Sequence, residues 1–194
     1  MITEEPPKQV KYICHEESGE ITAIIKGPRD SIEEPLGLFL DYQGSDDIDI
    51  GWYVSGDDVL QKPEKPSDSH IFNYETGLWS IDLTLAKSLK WDEIKAAREA
   101  QEFGTFDWGG YTFQCDEVSQ RRIQGAVQLA TMDSSMTLDW TLADNSVQTF
   151  SAADFLAIGQ ALAAHVNSGH VRSRQLRLDI DSATTEAEIS AITW

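Results

Sequence analysis

The sequence is short of cysteine, and the two cysteines that it has, Cys14 and Cys115, lie far apart in the chain. This spacing excludes a framework of several disulfide bonds and does not match the paired ligands of a zinc finger. We expect two small, buried, reduced side chains. A disulfide bond between the two parts of the chain, or between subunits, is the alternative.

The sequence is also short of positive charge. Its 15 Lys and Arg residues stand against 33 Asp and Glu residues, so the formal net charge is −18. A surface of this sign repels phosphate backbones and anionic membranes, which argues against direct binding to nucleic acid or lipid headgroups. It suits a basic protein partner and, less readily, a protein that mimics DNA in order to block a host nuclease.

Long hydrophobic runs and catalytic motifs are missing as well. No window approaches the roughly 18 consecutive apolar residues of a transmembrane helix. The first residues lack a basic region followed by an apolar run, so we expect no secretory signal. Neither a nucleophile elbow nor a Gly-rich phosphate loop occurs. We therefore expect a protein that is not an enzyme, needs no cofactor and does not insert into a membrane.

Two groups of side chains come closest to a metal site, and neither fits one. Asp46, Asp47 and Asp49 lack the glycine position and the closing glutamate of an EF-hand loop, so a solvated loop is expected. His165 and His170 are spaced so that they do not share a helix face well. We predict no metal site, and we expect His165 to be a hydrogen-bonded histidine at the boundary of the core.

The first part of the chain, residues 1–62, has the pattern of a small antiparallel β module. Apolar stretches separated by turn residues lie at 10–14, 21–25, 38–40, 51–54 and 59–60. The first two stretches predict one hairpin and the last two predict another. Residues 63–83 follow. Their first part contains Pro63 and Pro66 and lacks large apolar residues, which predicts an extended linker, and residues 71–79 predict a short hairpin within it.

The rest of the chain, residues 84–194, predicts a helix-rich domain with two β-hairpins. A helix over 84–103 ends before Gly104, and aromatic residues alternate on both sides of Gly109 and Gly110. Asp116 is a suitable N-cap for a second helix. A second hairpin turns at residues 143–145, and Ser151 with Asp154 forms a capping-box pattern before the longest helix. The fold class that we predict is α+β.

Six short motifs follow one another along this domain. They lie at residues 91–98, 104–113, 116–126, 138–145, 152–165 and 191–194, and they include Trp91, Trp108, Trp140 and Trp194. Their order and spacing resemble the family called domain of unknown function 4376, over about residues 84–194. The segment from residue 51 to residue 79 resembles the β-rich lead-in found before such domains. The resemblance carries no catalytic residues.

The resemblance also implies a setting. Members of the family are small proteins encoded beside tail-fibre genes of tailed bacteriophages and prophages, and they are usually labelled tail-fibre or tail-fibre assembly proteins. We therefore expect a non-enzymatic protein that binds a tail-fibre or distal-tail protein. It would act as a subunit of the virion tail, or as an assembly factor in the bacterial cytoplasm.

Five residues are candidates for partner binding, namely Trp52, Tyr53, Trp108, Tyr111 and Arg98. Trp and Tyr carry much of the binding energy at protein and sugar interfaces. The alternative for the rings is packing in the core, and the alternative for Arg98 is an ordinary ion pair. Two other functions stay open: a carbohydrate-binding module for the host surface, and an acidic DNA mimic. A homo-oligomer is also open.

Overall fold

The structure is a computed structural model that describes residues 8–194. The chain divides into two compact units, Met1–Asp82 and Leu83–Trp194. All strand pairs of the described residues are antiparallel, and the α-helices belong to the second unit. The predicted α+β class is confirmed.

The described part of the first unit contains seven short strands. They are β1 (Gln9–His15), β2 (Ile21–Pro28), β3 (Phe39–Asp41), β4 (Trp52–Ser55), β5 (Asp58–Gln61), β6 (His70–Asn73) and β7 (Leu78–Ile81). β1 lies between β2 and β3 in one sheet, while β4 with β5 and β6 with β7 form two hairpins. A single 3-10 turn, Arg29–Ser31, follows β2. The predicted strands lie where the sequence pattern placed them.

The core of this unit joins the sheet to the hairpin of β4 and β5. Its buried residues are Ile13, Ile21, Ile48, Val54 and Val59. The two parts also touch through the backbone, because the Val54 amide donates to the Gly19 carbonyl oxygen at 2.8 Å. Gly19 has a φ of +96°, and a Cβ there would collide with the Val54 carbonyl oxygen. A glycine is therefore required at this turn.

The segment predicted as a linker with a hairpin lies within the first unit. The ring of Phe72 is buried and lies 4.9 Å from that of Tyr53 and 5.1 Å from that of Trp79. The Trp79 indole donates to the Pro63 carbonyl oxygen at 2.8 Å, which holds the proline stretch against the hairpin.

The second unit alternates helices and hairpins. Its elements are α1 (Leu83–Glu102), β8 (Thr105–Trp108), β9 (Tyr111–Gln114), α2 (Glu117–Met132), β10 (Thr137–Thr141), β11 (Val147–Ser151), α3 (Ala152–Ser182) and α4 (Glu186–Ala191). β8 pairs with β9 and β10 with β11, while α1 and α2 both pack against α3. None of the described helices is long and apolar enough to cross a membrane.

Both predicted helix starts are confirmed in atomic detail. The Asp116 carboxylate accepts from the Val118 and Ser119 amides at 2.9 and 3.1 Å. At α3, the Ser151 hydroxyl accepts from the Asp154 amide, and the Asp154 carboxylate accepts from the Ser151 amide at 2.9 Å. These bonds satisfy amides that a helix leaves without an internal partner at its start.

The core of the second unit has a large and a small part. The large part gathers Phe106, Phe113, Cys115, Ile123, Ala126, Ala130, Met136, Leu142, Phe150, Ala152, Phe155, Ile158 and Leu162. The small part consists of Ala86, Ala183 and Ile189, with Leu83 packed against it.

One face of α3 is largely buried through Phe155, Ile158, Leu162 and Ile180, while Val166 and Leu176 are half-buried. Ser173 is also buried, with 2% of its surface exposed. Its hydroxyl donates to the His170 carbonyl oxygen at 3.1 Å, so the polar group is satisfied inside its own helix.

Candidate functional site

A groove runs between α2 and α3 on the surface of the second unit. We call it the interhelical groove; its volume is about 960 Å³. The residues that line it are Gln120, Ile123, Gln124, Val127, Gln128, Leu156, Gly159, Gln160, Leu162, Ala163, Val166, Asn167, His170 and Arg174. From Leu156 to Arg174 the groove follows α3 for about 27 Å, at the helical rise of 1.5 Å per residue.

The close approach of the two helices forms the floor of the interhelical groove. A Cβ built on Gly159 of α3 would lie 2.6 Å from Cγ2 of Val127 on α2. Ile123 is fully buried and Leu162 is 5% exposed, so the floor is continuous with the large core. The glycine therefore lets the backbone of α3 approach α2.

The walls of the interhelical groove are neutral. Gln120, Gln124 and Gln128 follow one another at intervals of four residues along α2, so they form one row on that helix. Gln160 and Asn167 lie on the α3 side. The Gln120 amide already donates to the carbonyl oxygens of Glu102 and Cys115, at 3.2 and 2.9 Å. The other amides can both donate and accept hydrogen bonds, and so they suit a polar partner of either sense.

No carboxylate is among the described residues that line the interhelical groove, although the chain has 33 acidic residues. The only ionisable groups among these lining residues are His170 and Arg174, which lie one turn apart on α3. Glu102 of α1 lies beside this end, with its carboxylate 3.5 Å from Nε2 of His170. The groove is thus an apolar strip with neutral walls in a strongly acidic protein.

The candidate residues of the first unit differ in accessibility. Tyr53 is 8% exposed, and its ring packs against those of Phe72 and Tyr74. Trp52 is half-buried and packs against the core that includes Val54. Only part of the Trp52 ring therefore remains accessible to a partner.

The candidate aromatic residues of the second unit lie at the edge of the core. Trp108 and Tyr111 face each other across the β8–β9 pair, and both are half-buried. Their ring centres lie 6.1 and 5.4 Å from that of Phe150. Both rings thus support the core while part of each remains exposed.

Arg98 is the one candidate with an unusual environment. Its side chain is 21% exposed, and its guanidinium lies 3.6 Å from the Glu99 carboxylate. Its Nε atom is buried and has no hydrogen-bond partner within the described residues. None of the five candidates lines the interhelical groove within the described part of the chain. The glutamine row on α2 is the part of the groove that is visible in the sequence, and by itself it does not distinguish a groove from a solvated helix face.

The side chains considered for metal binding have other partners. Residues 8–194 contain no cluster of three or more His, Cys, Asp or Glu side chains that could hold a metal ion. Asp46 receives a hydrogen bond and an ion pair from Lys11 at 2.8 Å, and these lower the pKa of its carboxyl. Nε2 of His165 lies 2.8 Å from the Gln101 carbonyl oxygen, so the predicted boundary histidine is confirmed.

Both cysteines are free thiols. Cys115 is fully buried, and this burial raises the pKa of its thiol. Cys14 is only half-buried, so the expected burial holds for one of the two residues.

Comparison with known proteins gives one match. The sequence model of a family described as a domain of unknown function (DUF4376) matches residues 85–193, which is most of the second unit. No curated protein and no solved structure matches the chain.

Proposed function

The chain belongs to the DUF4376 family, and from that premise we propose that it is a non-enzymatic, tail-associated bacteriophage protein that binds a tail-fibre or distal-tail protein. The observation that carries the proposal is the interhelical groove. It is an accessible apolar strip with neutral walls, and such a strip on a charged protein is typical of a protein-binding surface.

The occupant that fits the interhelical groove is an amphipathic helix of the partner. Leu156, Val127 and Val166 are the accessible apolar residues of the groove, and the length of about 27 Å matches a helix of about 18 residues. The two walls provide amides for the polar flanks of that helix. Apolar contact supplies the affinity.

The acidic charge of this chain favours a partner that is basic in the parts outside its amphipathic helix. The net charge of −18 raises the local concentration of a basic protein and speeds its encounter. Within the groove, the absence of carboxylates from the described lining removes the cost of desolvating them on binding. The field thus steers the partner, and the groove binds it.

Two neighbouring alanines of α3 give a matched test. Ala163 and Ala164 are both exposed, but only Ala163 lines the interhelical groove among the described residues. We expect Ala163→Glu to weaken binding to the fibre protein encoded beside this chain by at least about tenfold, because it buries a charge without a partner. Ala164→Glu, with the same change in charge and helix propensity, should bind like the wild type.

The measurement is titration calorimetry or pull-down with the purified fibre protein and the full chain. Failure of the wild-type chain to bind any tail-fibre or distal-tail protein of the same phage would refute the proposed function. Equal binding by the two variants would leave the function standing and exclude the groove. Mass spectrometry of purified virions then separates the two roles, since an assembly factor is missing or substoichiometric and a tail subunit is present in fixed copy number.

A further inference from the structure

A second cavity lies along α2, against β10 and the turn that follows it. We call it the Trp140 cleft; its volume is about 650 Å³, within the range of small-molecule sites. The residues that line it are Gln114, Ser119, Arg122, Gly125, Ala126, Leu129, Leu138, Asp139, Trp140, Thr141 and Asn145.

Gly125 is the feature of the Trp140 cleft that packing does not explain. It lies in the middle of α2, where glycine costs about 1 kcal/mol relative to alanine. A Cβ at Gly159 would strike Val127 and one at Gly169 would touch Gln101, so those helical glycines have neighbours. A Cβ at Gly125 would have no atom within 4 Å and would project into the cleft. The glycine thus keeps space open in the cleft.

Three of the polar side chains that line the Trp140 cleft are available to a ligand. The side chains of Gln114, Arg122 and Asn145 make no hydrogen bond or ion pair with the described residues. Asp139 lies directly opposite Thr149 and accepts from its hydroxyl at 2.5 Å, so its carboxylate is on the face of the β10–β11 pair away from Trp140. Guanidinium and amide groups are planar, so each can bond to two adjacent hydroxyl groups at once.

The apolar wall of the Trp140 cleft is a half-buried indole. The Trp140 ring is held by Phe155, with ring centres 5.4 Å apart and planes inclined by 64°. A fixed aromatic ring beside planar polar groups matches a pyranose, which has a flat patch of C–H groups and a rim of hydroxyls. Arg122 and Asp139 have opposite charges, so the lining is neutral as a whole and does not favour a phosphate or another anion.

We propose that the Trp140 cleft binds a neutral saccharide, with Trp140 under the sugar ring, Arg122 and Asn145 on its hydroxyls, and Gly125 leaving the room that the ring needs. This site shares only α2 with the interhelical groove and does not depend on the proposed function. The two sites can therefore be tested separately.

The test uses the full chain and saturation-transfer difference NMR, followed by calorimetry. The probes are the methyl glycosides of glucose, galactose, mannose and N-acetylglucosamine and their disaccharides, at about 10 mM, a concentration that detects millimolar affinity. We expect at least one probe to bind. Gly125→Ala and Arg122→Gln should each weaken that binding by at least about tenfold, the effect of one methyl group or one lost polar contact in a binding pocket.

Arg121→Gln is the control, because Arg121 is an exposed neighbour of Arg122 on α2 and, among the described residues, lines neither the cleft nor the interhelical groove. It should leave saccharide affinity unchanged. The proposal is overturned if none of these neutral probes binds, or if both cleft variants bind as well as the wild type. Thermal unfolding followed by circular dichroism checks each variant, and Arg122→Gln, an exposed substitution, serves if Gly125→Ala alters the fold.

Discussion

Gly125 in α2 and Gly159 in α3 should respond in opposite ways to replacement by alanine: one change should stabilise the protein and the other should destabilise it. Gly125→Ala places a methyl group in open space, whereas Gly159→Ala places one 2.6 Å from Cγ2 of Val127. Both positions are helical, so both changes gain the same intrinsic preference of alanine for the helix. The contact with Val127 is the difference between them.

The expected change in the free energy of unfolding is the sum of two contributions. Replacing a helical glycine by alanine contributes about 0.4–1 kcal/mol of stability where the new methyl group meets nothing. At Gly159 the methyl group overpacks a contact with valine, whose branched side chain turns poorly, and overpacking costs about 1–3 kcal/mol. We therefore expect Gly125→Ala to raise the free energy of unfolding by about 0.4–1 kcal/mol and Gly159→Ala to lower it by about 1 kcal/mol.

The assay is urea unfolding of the full chain, followed by the helical signal in far-ultraviolet circular dichroism. This signal reports on the second unit, because all the described α-helices belong to it. If both substitutions stabilise the protein equally, α2 and α3 do not approach as closely at Gly159 as described here. If both destabilise it, Gly125 does not face open space, and the volume argument for the Trp140 cleft fails with it.

Two further predictions concern the helix starts. Ser151→Ala should lower the free energy of unfolding by about 1 kcal/mol, since it removes half of the capping box of α3, while Ser151→Thr should keep the box; equal melting curves would contradict this. The second prediction concerns pH. Hydrogen bonds from the Ser119 hydroxyl and then from its amide hold the pKa of Asp116 below its ordinary value of 3.8. The ionised carboxylate therefore contributes its full stability above the pKa of the unfolded state, and this contribution is lost as the pH falls through the lower pKa of the folded state. In urea unfolding below about pH 4, the free energy of unfolding should therefore fall less steeply with decreasing pH for Asp116→Asn than for the wild type.

The local features of the fold could be predicted because their signals lie within a few residues of one another. Asp116 precedes its helix directly, Ser151 and Asp154 are three positions apart, and the paired glycines at 109 and 110 lie between two aromatic strands. Each of these patterns satisfies or bends the backbone locally, so no distant residue decides the outcome.

Features that depend on distant residues could not be predicted. Lys11 lies in an alternating strand, but it is buried because its ammonium donates to carbonyl oxygens of Gly44 and Ser45, more than 30 positions away. The burial of Tyr53 likewise depends on Phe72, which belongs to the next hairpin. Such partners become apparent only when the tertiary contacts are known.

The interhelical groove was not among the candidate sites that the sequence indicated. The sequence pointed to aromatic residues as contacts, whereas the interhelical groove is lined by aliphatic side chains and glutamines. Gln120, Gln124 and Gln128 do have helical spacing, but a row of neutral polar residues is also what an ordinary solvated helix face presents. The groove requires α3 beside that row, and the pairing of two helices cannot be derived from either helix alone.

The length of α3 has a consequence for how the second unit loosens. Its first turns are anchored in the large core through Phe155 and Ile158, whereas its last turns lie against α1 and near the small cluster of Ala86, Ala183 and Ile189, which buries less apolar surface. Local opening of a protein costs least where least apolar surface is exposed. Amide hydrogens of α4 and the end of α3 should thus exchange with solvent well before those of the hairpin end, so the molecule frays from its carboxyl terminus while both binding surfaces of α2 remain intact.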